Sequence, residues 1–366
     1  MFRGMGMAVA GVGVLAIAVL AALYVDERTD HITPVKHVTN EELRTIKPDF
    51  PGNAVDQRDR FFKEDDPYLP SMLSVLKWKL GGNRLQEAKE NDTWRPEVLD
   101  PQIFLSSGKD GIMWLGHASF YIRIGGVNVL TDPVFGDPSF LPRIVAVPSP
   151  ISLIGAVDQV LISHDHRDHM DESSIRAIAK KFPTATFIAG LRSEDLLKGW
   201  TTPTNRIVTA GWFQQVETGD PRVKIYFLPA RHWSRRGLLD TNYRLWGSYI
   251  IQIGDKTIYF GGDTGYSEHF REIGELFPKI DIFIVGIGAY EPRWIMEPNH
   301  QDPEEAVRAF IDAKGGLLIP MHYGTFDLTD EPPSWPLKQL TEAAGKAGVS
   351  ERIRSLAINE ALLIDN

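Results

Sequence analysis

The chain has 366 residues, 43% of them apolar, and a formal net charge of −9 from 39 basic and 48 acidic side chains. A surface of that sign disfavours nucleic acid, whose phosphate backbone selects basic proteins, and no run of five or more basic residues occurs. There is no cysteine, so disulfides and thiolate ligands are excluded and any metal must be held by nitrogen and oxygen.

Residues 4–25 form an uncharged, mostly apolar run of 22 residues. As a helix rising 1.5 Å per residue, it is long enough for a hydrocarbon core of ~30 Å. Arg3 precedes the run and Asp26, Glu27 and Asp30 follow. This predicts a single-pass anchor with its N-terminus inside and the body of the protein on the periplasmic or extracytoplasmic side. The competing reading is a cleaved signal peptide, since Ala16-Ile17-Ala18 has the small-x-small form of a cleavage site. Residues 26–110 read as a linker and N-terminal extension. Within them, 26–57 is polar and without regular pattern. Leu73, Leu76, Trp78 and Leu80 predict a short helix stopped by Gly81-Gly82, and 83–94 is charged and reads as solvated. The proline-rich stretch 133–150 predicts a loop that packs on its own domain, covers the active site or touches lipid.

From residue 111 the pattern changes to alternating strands and helices, a mixed α and β class of 256 residues. The apolar stretch 157–162 predicts a buried strand. It runs into Ser163-His164-Asp165-His166-Arg167-Asp168-His169, where three of the chain's 10 histidines and two aspartates occupy six positions. Imidazole and carboxylate are the ligands of zinc and similar divalent ions, and the spacing offers the pairs His164/His166 and Asp168/His169. Asp171 is a helix N-cap, with Ile175, Ile178, Ala179 and Phe182 at helical spacing behind it, so the cluster lies on a strand-to-helix loop. Three further apolar runs, 223–230, 256–260 and 317–321, are followed by His232, by Asp263 among glycines and by His322. Four metal-capable groups at four strand ends predict one shared site. Asp263, with two oxygens, is the natural bridge between two cations. Asp302, Pro303, Glu304 and Glu305 predict a helix start and place His300 on the loop before it. Asp132 reads as the group that orients a metal-bound histidine, and His117 as a packed core histidine.

These residues occur in longer strings: WLGHASF, LTDPVF, VLISHDHRDHMD, RHWSRRGLLD, LWGSY, FGGDTGY, IGAYEPRW, DPEEAV and HYGTF, spanning 114–326. In this respect the chain resembles the metallo-β-lactamase-fold hydrolases, and within them the N-acylphosphatidylethanolamine-hydrolysing phospholipases D. The resemblance implies a four-layer αβ/βα sandwich over 111–366, which joins the predicted transmembrane helix at 1–25. It implies two zinc ions, or other divalent cations, one held by His164, His166 and His232 and the other by Asp168, His169 and His322, with Asp263 bridging. Asp263 and His300 would be the catalytic residues. The implied substrate is a phospholipid, cleaved at a phosphodiester to phosphatidic acid and an N-acylethanolamine. A lactonase acting on a sugar-phosphate lactone is the alternative. A non-catalytic zinc-binding membrane protein is a lesser one, since none of the seven ligands is missing.

Overall fold

Two seven-stranded sheets lie face to face in the computed structural model, which describes residues 33–66, 71–138, 141–147 and 150–364. The predicted anchor falls outside these residues. Among those described, no helix is long and apolar enough to cross a membrane.

Chain order gives strands β1 (Lys36–Val38), β2 (Arg44–Thr45), β3 (Asn53–Val55), β4 (Gly111–Trp114), β5 (Phe120–Ile124), β6 (Val127–Thr131), β7 (Gln159–Leu161), β8 (Thr186–Gly190) and β9 (Arg206–Ala210). They continue with β10 (Gln214–Glu217), β11 (Val223–Leu228), β12 (Ser248–Ile253), β13 (Lys256–Phe260), β14 (Ile280–Gly286), β15 (Gly315–Met321) and β16 (Ala361–Leu363). The first sheet has the order β16-β4-β5-β6-β7-β8-β9 and the second β15-β14-β13-β12-β11-β10-β2. Each is antiparallel at one end and parallel at the other: β6 to β9 run parallel in the first, and β13 to β15 in the second.

The parallel strands β6, β7 and β8 are buried at every position, as strands covered on both faces must be. Their inner faces (Val129, Leu161, Ile188) meet Phe227, Tyr249 and Phe260 of the second sheet in one core. Their outer faces meet Ile175, Ile178 and Ala179 of the helix Glu172–Lys181, which the Asp171 carboxylate caps by accepting from Ser174 N at 2.9 Å. Full burial of each such aliphatic side chain contributes about 1.5–3 kcal/mol. The helices His269–Leu276, Pro303–Asp312 and Trp335–Ala347 bury apolar stripes in the core that includes the second sheet. The layers are therefore helix, sheet, sheet, helix.

The stretch read from sequence as a linker is built into this sandwich from residue 33 on. β2 extends the second sheet beside β10, β1 and β3 pair antiparallel, and Val55 and Phe61 are fully buried in the core. Strands of two and three residues are too short to leave a periodicity, and this is why the sequence hid them. The predicted short helix is Met72–Gly81, capped by the Ser71 hydroxyl. Its Trp78 Nε1 donates to Asp330 Oδ2 at 3.0 Å and Asn83 Nδ2 to the Asp330 carbonyl at 3.0 Å, so the extension is tied to the loop after β15.

Candidate metal centre

The site gathers where both sheets end. His164 to His169 follow β7, His232 follows β11, Asp263 follows β13, and His322 is the residue after β15. The backbone is constrained here: His117, Asp132 and His322 all adopt φ between 31° and 61°, which L-residues seldom do. Gly262 makes the convergence possible. At φ 57° it runs so near Ser163 that an added Cβ would lie 2.5 Å from the serine Cβ.

All seven predicted ligands come together; five of them are buried, and His166 and Asp168 are partly exposed toward the cleft. His166 Nδ1 lies 2.8 Å from His164 Nε2 and 3.3 Å from His232 Nε2, three ring nitrogens converging on one point. The Asp263 Oδ2 oxygen is 3.8 Å from both His164 Nε2 and His232 Nε2. The same oxygen is 3.1 Å from His169 Nε2, while Asp263 Oδ1 is 3.0 Å from His322 Nε2. Asp168 Oδ2 completes the second group at 3.7 Å from His169 and 3.9 Å from His322. Asp263 thus stands between the two clusters, with Oδ2 within 3.8 Å of nitrogens in both and Oδ1 toward His322.

Hydrogen bonds behind the histidines decide which nitrogen carries the proton. Asp132 accepts at Oδ2 from the Ser163 hydroxyl (2.6 Å), and that hydroxyl therefore accepts from His164 Nδ1 (2.9 Å). Asp132 Oδ2 also accepts from His169 Nδ1 at 2.7 Å, and the Asn299 carbonyl from His232 Nδ1 at 3.1 Å. In all three rings the Nε2 lone pair is left facing the centre. Nε2 of His169, both ring nitrogens of His322 and Oδ1 of Asp263 are buried and make no hydrogen bond among the described residues. Left so, each buried atom costs about 1–3 kcal/mol. A divalent cation matches this donor set, and the residues fit one at each cluster.

Burial holds the His166 imidazole down to about 4 and drives His164 and His232 well below the ordinary range, so these rings are neutral and able to ligate at neutral pH. His169 differs. Burial opposes its charging, but the carboxylates of Asp263 and Asp168 outweigh it and push it well up. A proton and a cation therefore compete for its Nε2. Asp132 sets the tautomer of two of these rings, so Asp132→Ala is expected to weaken metal binding by about 10–100-fold, read by competition against a chromogenic chelator.

His300 lies in the same cleft, Nδ1 4.0 Å from Asp263 Oδ2 and its ring 5.3 Å from those of His232 and His322. The helix start beside it is capped by Asp302 and Glu305, leaving the imidazole free of that task. Burial holds this ring down to about 4. His117, read as a packed core histidine, is buried and hydrogen-bonded, and its partner belongs to the centre: Nε2 lies 3.1 Å from Asp168 Oδ2. It sits just beyond the end of β4, the same strand-end position that singled out the other ligands. Trp233 and Asn299 were not legible either. Trp233 packs edge-on against His166 at 4.5 Å between ring centres, and Asn299 works through its backbone carbonyl. Asp165, between two histidine ligands, is buried and bonded to Arg244 at 3.0 Å; the same guanidinium binds Asp240 and Asp195.

A cleft of about 320 Å³ opens onto the centre. Its floor is His166, Asp168, Asp263, His300 and His322, and its walls are Val75, Trp78, Trp233, Trp294, Met296 and Leu328, among others.

The family model for the Beta-lactamase superfamily domain matches residues 127–323, more than half of the chain. The chain belongs to this superfamily. An uncharacterized protein of Mycobacterium tuberculosis is 37% identical over 258 residues, 68% of each chain. The N-acyl-phosphatidylethanolamine-hydrolyzing phospholipase D 1 of Caenorhabditis elegans is 32% identical over 246 residues, 63% of this chain and 69% of that protein. Among solved structures, Igni18, a metallo hydrolase from Ignicoccus hospitalis, superposes with a TM-score of 0.54 at 22% identity, over 70% of this chain and 99% of its own. That likeness shows the fold. As a member of the beta-lactamase superfamily, the chain is a metal-dependent hydrolase.

Proposed function

We propose that this hydrolase cleaves a phosphodiester in a phospholipid, releasing phosphatidic acid and an N-acylethanolamine from an N-acylated phosphatidylethanolamine. The observation that carries this reading is the cleft. Three tryptophans with Val75, Met296 and Leu328 line the approach to a centre of histidines and carboxylates, a surface suited to acyl chains above a polar reacting group. The phospholipase D relative, named for this substrate class, supports it. So does the uncharged run 4–25, which would hold the site beside a membrane.

His164, His166 and His232 would hold one zinc ion, Asp168, His169 and His322 a second, and Asp263 would bridge them. Bound there, such a pair supplies Lewis-acid polarisation of a phosphoryl oxygen and acidification of water. The chain's own groups do the rest. Asp132, Ser163 and the Asn299 carbonyl fix three imidazoles in the ligating tautomer. His300, kept neutral by burial and beside Asp263, would accept a proton at Nδ1 from the attacking water and return it to the alcohol oxygen as the phosphorus–oxygen bond breaks. Trp78, Trp233 and Trp294 exclude water from the flanks of the phosphodiester.

The test is incubation of full-length protein, its metal content measured on the same sample, with N-acylated phosphatidylethanolamine in mixed micelles. Release of N-acylethanolamine together with phosphatidic acid is expected. A metal-replete protein that releases neither would overturn the substrate, and activity on a sugar-phosphate lactone would replace it with the lactonase reading.

A further inference from the structure

Leu238 and Leu239 stand side by side with 87% and 90% of their surface exposed, more than any other large apolar side chains among the described residues. They cap a loop whose base is firmly held. Arg236 donates Nη1 to the carbonyls of Met170 (2.6 Å) and Asp165 (3.3 Å), and the Gly237 amide donates to Asp240 Oδ1 at 2.6 Å. Ser234 Oγ donates to the Arg244 carbonyl at 2.5 Å. A loop fixed at this many points presents its tip deliberately, and neither leucine serves the metal centre. Exposing such a pair forgoes the free energy that burying each side chain would gain.

The tip belongs to the rim of the cleft. Its loop starts at Trp233, which lines the cleft, and Arg167, between the ligands His166 and Asp168, donates to the Arg236 carbonyl at 3.5 Å. Elsewhere on the rim the helix Met72–Gly81 exposes Leu76 (45%) and Leu80 (78%), and Trp294 is 53% exposed. Lys77 and Lys79 are exposed on the same helix, their Nζ atoms 5.3 Å from the Trp294 ring and 3.6 Å from the Trp78 ring.

We propose that this rim docks on the surface of a phospholipid bilayer, with Leu238 and Leu239 entering the acyl layer. The inference rests on the lipid reading of the same cleft. Apolar tips above a collar of Arg235, Lys77 and Lys79 match the order of acyl chain and phosphate at a lipid interface, on a chain whose overall charge is −9. The apolar run 4–25 points to the same partner.

Because the chain has no cysteine, Leu239→Cys carries a single environment-sensitive fluorophore, with Ile103→Cys, 68% exposed and away from the cleft, as the reference. Full-length proteins are reconstituted in vesicles of phosphatidylcholine and phosphatidylglycerol. The label at 239 is expected to shift to the blue and to be quenched by nitroxide-bearing acyl chains, and the label at 103 is not. Equal quenching at both positions, or none at 239, overturns the proposal. So does a blue shift without lipid that grows with protein concentration, which would mark a second copy of the chain as the occupant. The doubly substituted Leu238→Asp, Leu239→Asp protein is expected to lose about tenfold or more of its rate on vesicle-held lipid and to keep its rate on a monomeric short-chain analogue. Quenching at 239 without hydrolysis of any N-acylated lipid would uphold docking and sink the substrate reading. Hydrolysis without quenching would do the reverse.

Discussion

Asp263→Asn is expected to lower the hydrolytic rate by at least ~10³-fold, the upper end of what one preorganised electrostatic group supplies. The substitution preserves shape and removes one charge. That charge lies within 3.8 Å of four histidine Nε2 atoms, those of His164, His169, His232 and His322. The position therefore tests whether the two clusters act as one centre. The amide can offer one oxygen where the carboxylate offers two, so a cation at one cluster loses its link to the other. Metal content measured on the purified variant should fall below that of the wild type. The circular dichroism spectrum should be retained, because the neighbouring strands β12, β13 and β14 are paired independently of this side chain. A metal-replete Asp263→Asn protein within tenfold of the wild-type rate would show that the carboxylate bridges nothing.

Arg244→Met is expected to destabilise the fold by about 3–5 kcal/mol, because it strands a buried carboxylate. Asp165 is 1% exposed and Arg244 6%, and Arg244 Nη1 lies 3.0 Å from the carboxylate. Burial already raises Asp165 to about 6 against the pull of Arg244. Without the guanidinium it rises further. A carboxyl raised in the folded state penalises folding at high pH, and the penalty is relieved as falling pH protonates it. The stability gap between wild type and variant should therefore be widest near pH 8 and narrow toward pH 5. Thermal unfolding across that range measures it, with a fall in Tm on the order of 10 °C at the alkaline end. A gap that stayed constant from pH 8 to pH 5 would mean that the ion pairs with Asp195 and Asp240, not the buried Asp165, carry the effect.

Most of the centre was legible because its signal is local. An apolar run that stops at a histidine or aspartate needs no knowledge of distant residues, and four such runs predicted seven ligands that the fold brings to one place. His117 is buried and hydrogen-bonded as expected, but its link to the centre was not legible although it obeys the same rule after β4. Its partner, Asp168, lies 51 positions away, and no pattern within WLGHASF points to it. The helix Met72–Gly81 was legible as a helix but not as a wall of the cleft. That role depends on neighbours such as Asp330, 252 residues downstream of Trp78. The short strands β1 to β3 lacked the length to show alternation, and their burial comes from the sheet they join.

The order in which the ligands occur along the chain also has a consequence for biogenesis. His164 is made early, but the two clusters close at different points: the first, with His232, only at Asp263, and the second only at His322, while the strand beside β4 in the first sheet is β16, far downstream. A nascent chain can therefore shape β4 to β9 before either candidate cation site is complete, and a pair of cations spanning both clusters can settle only after residue 322 has joined the fold.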